Sequence, residues 1–166
     1  VVEEDTAQGV PTPPIDSPPA EVIVPVPPEE PLAALSIERF SAIAAEIAEK
    51  RDPKAEVLRK NDLTESDWTA NEQLWTKALE DERARGSSRL RAASDRAYVE
   101  AVEGFRGPIT LADHARITLG LERGQVNPVL DELRIQRPAL MRIIRLWTKK
   151  IAADMKLSEE ARALLA

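Results

Sequence analysis

From Leu35 onward, apolar residues recur at spacings of three and four with polar residues between them, the periodicity of helices that bury one face. Start signals divide this pattern. Ser36, Asp52 with Pro53, Thr64 with Asp67 three residues on, Ser87 or Ser88, Thr110 with Asp113 three on, Asn127 with Pro128, and Ser158 are each expected to open a helix. Their side-chain oxygens can accept from first-turn amides, and proline suits the first turn. Gly86, Gly104, Gly107 and Gly124 fall in the gaps, where helices are expected to end. The expected fold class is all-α, with about eight helices and no strand.

The pattern also repeats. Leu35-Ser36-Ile37 with Phe40, Ile43 and Ile47 lies over Ile109-Thr110-Leu111 with His114, Ile117 and Leu121, at an offset of 74. At an offset of 72, Val57-Leu58, Leu63, Trp68 and Leu74-Trp75-Thr76-Lys77 lie over Val129-Leu130, Ile135, Leu140 and Leu146-Trp147-Thr148-Lys149. Caps and apolar positions match in the same order, which predicts two tandem three-helix units. The expected organisation is unit one at 35–86, a connecting helix within 87–107, and unit two at 108–166 with a short closing helix after Ser158. Trp68, Trp75 and Leu79 share one face of the third helix of unit one, and Leu140, Ile144, Trp147, Ile151 and Met155 share one in unit two, so both stripes are expected to be core.

Residues 1–34 break the helical pattern. They hold nine of the 13 prolines and seven acids, with no Lys or Arg. Proline fixes φ and removes a donor, so this segment reads as an extended, acidic linker. The rival reading is a ligand for a proline-reading groove, with Pro11-Thr12-Pro13-Pro14 and Pro25-Val26-Pro27-Pro28 as cores, and Val22-Ile23-Val24 could pin the segment to the body. The net charge of −6 is therefore a property of the linker: residues 35–166 carry 23 bases and 22 acids. No apolar run approaches the roughly 20 residues that span a bilayer, and the acidic start lacks the basic-then-apolar order of a secretory signal, so a cytoplasmic setting is expected. The chain opens at Val1 rather than Met, which points to a fragment or a processed product.

The run Leu35-Ser36-Ile37-Glu38-Arg39-Phe40 through Glu56-Val57-Leu58 to Trp68 and Trp75, with Arg106-Gly107-Pro108-Ile109-Thr110, Arg137-Pro138-Ala139-Leu140-Met141 and Arg145-Leu146-Trp147-Thr148, resembles a family of helical modules in multidomain bacterial proteins. Members are encoded notably with type VI secretion systems, beside effector-delivery or spike-associated domains and often after a Pro-rich linker. The resemblance covers nearly all of residues 35–166 and rests on packing motifs. It implies an accessory or adaptor role in secretion and carries over no catalytic residue.

Candidate chemistry is sparse. With no cysteine, disulfides, thiolate metal sites and cysteine nucleophiles are excluded. His114 is the one histidine, and its counterpart in the repeat is Phe40, so it is expected to serve as core bulk rather than as a general base. Glu80-Asp81-Glu82, Asp131-Glu132 and Glu159-Glu160 are runs of adjacent acids that fan outward on a helix and read as solvated faces. There is no phosphate loop, zinc-protease pattern or nucleophile elbow, and no cofactor, metal or enzymatic activity is expected.

The informative charge is basic. Arg134, Arg137, Arg142, Arg145, Lys149, Lys150 and Lys156 face only Asp154, and Arg142, Arg145, Lys149 and Lys156 recur at helical spacing on the side away from Trp147. Unit one has Ala70 and Gln73 where unit two has Arg142 and Arg145, so the fold itself does not demand the stripe. The bland reading of the stripe is a solvated helix face; the sharper one is a site for an acidic protein surface, either the chain's own acidic tail or a secretion partner, which makes the chain a non-enzymatic adaptor or scaffold. The alternative is a helix-turn-helix over Asn127–Ile151 using the Arg134–Lys156 stretch on DNA. Against it stand the near-neutral body and the lack of an Asn or Gln beside Arg142 and Arg145 to read adenine. A second cluster, Arg83, Arg85, Arg89, Arg91 and Arg96, is interleaved with acids and carries less weight.

Overall fold

A computed structural model describes residues 34–165, so the expectations for the Pro-rich segment and its docking lie outside the described residues. Those residues form α1 (Ile37–Glu49), α2 (Lys54–Lys60), α3 (Glu65–Ala84), α4 (Arg89–Arg106), α5 (Leu111–Glu122), α6 (Val126–Glu132), a 3₁₀ turn (Arg137–Ala139), α7 (Leu140–Ala153) and α8 (Met155–Leu165). The fold is all-α.

Side-chain caps open α1, α3, α5 and α8. Ser36 Oγ accepts from the Arg39 amide at 3.1 Å, which opens α1. Thr64 and Thr110 each build a full capping box: the Asp67 and Asp113 amides donate to the threonine hydroxyls at 3.1 Å, and the aspartates accept from the threonine amides at 2.8 and 3.0 Å. Two first-turn donors are thereby satisfied at each site. Four expectations differ. Asp52 accepts from Lys60 rather than capping α2, whose N-cap is Pro53. Asn127 lies inside α6, which starts at Val126, and Gly104 lies inside α4, which runs on to a turn at Gly107 with φ 96°. Ser158 is also internal, because Asp154 caps α8 instead, its Oδ1 accepting from the Lys156 and Leu157 amides at 2.9 and 3.2 Å. That cap stops α7 at Ala153, so Met155 is 81% exposed rather than core.

Positions paired by the self-alignment share backbone geometry. Lys50 and Gly124 both adopt left-handed φ, 56° and 66°, and their amides donate to the Ile47 and Leu121 carbonyls at 3.3 and 3.1 Å. Asp62 and Arg134 do the same at 58° and 54°, and the Leu63 and Ile135 amides that follow donate to the Leu58 and Leu130 carbonyls at 3.0 and 2.9 Å. Ile43 and Ile117, and Leu58 and Leu130, are buried pairs. The third helix differs: α3 starts directly from a capping box, whereas α7 follows a 3₁₀ turn that contains Pro138.

The connecting helix α4 is the packing centre and packs against both α1 and α7. Small residues let α1 and α4 approach, and buried Ser41 and Ser94 share a hydrogen bond of 2.8 Å across the seam. One apolar cluster joins Ile43, Val57, Leu58 and Trp68, with Phe40 stacked on Trp68 at 4.8 Å. The larger cluster joins Ala45 of α1 to Tyr98, Val99 and Val102 of α4 and to Ile117, Leu130, Ile143 and Trp147. Burying a side chain of this size stabilises by about 1.5–3 kcal/mol. The half-buried Trp75 indole donates to the Leu35 carbonyl at 3.1 Å, while the Leu35 amide donates to Asn71 Oδ1 at 2.9 Å, so α3 clamps the chain as it enters α1.

Candidate functional site

The basic stripe lies at the seam between α4 and α7. Arg145 reaches Asp95 with two nitrogens, Nε to Oδ2 at 2.7 Å and Nη2 to Oδ1 at 2.8 Å. Arg142 donates to Ser94 Oγ at 2.9 Å, approaches Asp95 Oδ1 at 3.4 Å, and lays its guanidinium over the Tyr98 ring at 4.3 Å. Asp95 is 4% exposed, so two bases hold one buried acid. The bidentate fork is the strongest form of such a contact. Its electrostatic effect differs at the two arginines. The Asp95 hydrogen bond raises the Arg145 pKa, whereas burial lowers that of Arg142 more than Asp95 restores it. Both remain charged in water near neutrality.

The four stripe bases therefore have different surroundings. Arg142 and Arg145 join α7 to α4, Lys149 is exposed on α7, and Lys156 belongs to α8, 84% exposed beside Glu160 at 4.0 Å. What the seam offers instead is a groove of about 470 Å³ with Ala92, Leu146 and Ala153 in its lining. Arg91 and Arg96 of α4 and Arg145, Lys149 and Lys150 of α7 also line it, with Asp95 as the acid. Among the described residues Arg91, Arg96, Lys149 and Lys150 enter no ion pair. Lys150 Nζ sits over the Trp147 ring at 4.8 Å.

In sequence, acids interleave with Arg91 and Arg96. The structure shows where two of those acids go. Asp95 is held by α7, and Glu82, far from being solvated, is 3% exposed and accepts from the Leu90 and Arg91 amides at 2.6 and 2.9 Å and from Ser87 Oγ at 3.2 Å. Burial works against its charge, but the Arg91 and Leu90 amides and the Ser87 hydroxyl outweigh that and hold the carboxyl below its ordinary value. A carboxylate at the N-terminus of α4 also meets the favourable end of the helix dipole.

His114 is buried at 7% exposure, with its ring 6.0 Å from that of Trp147, and burial lowers its pKa. Its slot is the core position expected from Phe40. Among the described residues, no group of three or more His, Asp or Glu could hold a metal ion, and no helix is long and apolar enough to cross a membrane. No protein-family model, curated protein or solved structure matches the chain.

Proposed function

We propose that the chain is a non-enzymatic interaction module whose α4/α7 groove receives an acidic segment of a partner protein. One observation carries this reading: four cations from two helices, none of them ion-paired among the described residues, surround a groove that also exposes apolar side chains. A partner segment with acids flanking one or two apolar residues would gain both charge complementarity and apolar burial there. The fixed Asp95–Arg145 fork supplies a rigid wall. The resemblance of residues 35–166 to type VI secretion modules supports seeking that partner among secretion components, with the bacterial cytoplasm as the setting. No observation favours the nucleic-acid alternative, because Arg142 and Arg145 of its recognition helix are engaged by Asp95 rather than turned outward to phosphates. Reversing Arg91 and Lys149 to Glu tests the reading, since neither side chain supports the fold through an ion pair; the partner should be lost while the fold survives.

A further inference from the structure

A second hollow, separate from the α4/α7 groove, lies where the end of α1 meets the segment between α6 and α7. It measures about 540 Å³, within the ~300–1,000 Å³ range of small-molecule sites. Lys50, Arg134 and Arg137 line it, with Asp131 as the one acid and Ala48 and Pro138 among its apolar atoms. None of the three cations enters an ion pair among the described residues.

The internal repeat supplies a control for these residues. Lys50 and Arg134 both sit at left-handed φ, 56° and 54°, where a Cβ crowds the following carbonyl and glycine, asparagine or aspartate is better tolerated. Their counterparts in the repeat follow that preference: Gly124 stands for Lys50, and Asp62 for Arg134, at nearly the same φ. Arg137 has Glu65 as its counterpart, and Asp131 has Arg59. The turn geometry therefore does not ask for a base at any of the three positions, and at two of them a base is a poor choice for the backbone. Strained, unfavoured residues that converge on one hollow are a mark of a functional constraint.

We infer that this hollow binds a small phosphate monoester, with Lys50, Arg134 and Arg137 on the phosphate and the ester group against Ala48 and Pro138. The three bases and Asp131 leave a local charge of two positive units, which a phosphate monoester of about −1.5 to −2 at neutral pH matches. Two guanidinium groups add donors suited to phosphate oxygens. This inference does not depend on the partner groove, and Lys149 and Arg91 play no part in it.

The experiment titrates the isotopically labelled full chain with phenyl phosphate, with sodium chloride at matched ionic strength as the control, and follows backbone amide shifts. Saturable shifts confined to Lys50 and residues 134–137, absent with chloride, are expected. In Lys50→Gly and Arg134→Gly the dissociation constant should weaken at least tenfold, while Tm stays level or rises because the left-handed strain is relieved. Arg137→Gln, at a position without left-handed φ, should weaken binding by a similar factor. Absence of saturable shifts, equal shifts with chloride, or binding within threefold of wild type in all three variants overturns the inference. So does a fall in Tm on Lys50→Gly and Arg134→Gly, which would make the bases structural.

Discussion

Replacing Asp95 by Asn keeps the shape of the side chain and removes the charge that Arg142 and Arg145 share. Breaking a buried ion pair by removing one partner typically costs about 3–5 kcal/mol, because a charge is left uncompensated. Here the side chains of Arg142 and Arg145 are 27% and 39% exposed, so water recovers part of the loss, and Asn can still accept one hydrogen bond. A cost of about 2–3 kcal/mol is therefore expected, close to that of one charge-assisted hydrogen bond. Arg145→Met should cost about 2 kcal/mol by the same reasoning. The Arg145→Met and Asp95→Asn double variant should reveal a coupling of about 1–2 kcal/mol. Urea unfolding of the full chain at pH 7 measures all three. If Asp95→Asn falls within about 0.5 kcal/mol of wild type, as an ordinary surface substitution would, the seam is not held by this acid, and the arginines are free surface charges after all.

Two further predictions concern buried titrating groups. The folded state holds His114 below its ordinary pKa of 6.5, so the unfolded chain takes up the proton first and stability falls as pH drops below about 6.5. His114→Phe, the residue found at the matching position 40, should reduce the loss of Tm between pH 7.5 and 5.5, and identical losses would contradict the assignment. Glu82 is held below its ordinary value of 4.5, so its stabilising contribution is present above that value and is lost as pH falls through the depressed folded value. Glu82→Gln should speed hydrogen exchange at the Leu90 and Arg91 amides at pH 7, and unchanged protection there would show that the carboxylate is not what orders the start of α4.

The starts of α1, α3 and α5 were legible because they are written locally, in caps that act over three residues, and the repeat was legible because caps and core positions keep their order. Met155 misled because the apolar spacing runs straight through the break at Asp154, whose role as a cap is visible only once the backbone there is seen to be extended, with φ −133° and ψ 115°. The basic stripe misled for a longer-range reason. Helical spacing assigns the face opposite the apolar stripe to solvent, but at Arg142 and Arg145 α4 meets that face of α7 through Asp95, 50 residues from Arg145 in sequence, while Lys149 stays exposed. A signal for this was present. Asp95 precedes Tyr98, Val99 and Val102 by three, four and seven residues, which places it on the buried face of α4, and a lone acid there requires a basic partner. The groove cations Arg91 and Arg96 could be recognised only after Asp95 and Glu82 had been assigned to other contacts. Substituting Arg142 and Arg145 to probe binding would thus confuse a weakened seam with a lost partner.

The most direct test of the groove compares what the full chain captures from a bacterial lysate with what Arg91→Glu/Lys149→Glu captures, with both proteins matched for Tm and an α3 surface variant, Gln73→Lys, as a control. The reading predicts that a defined protein bearing an acidic segment is retained by wild type and Gln73→Lys, is lost from the reversed groove, and is released from wild type by raised salt. Retention of every captured protein by the reversed groove, at unchanged Tm, would contradict it.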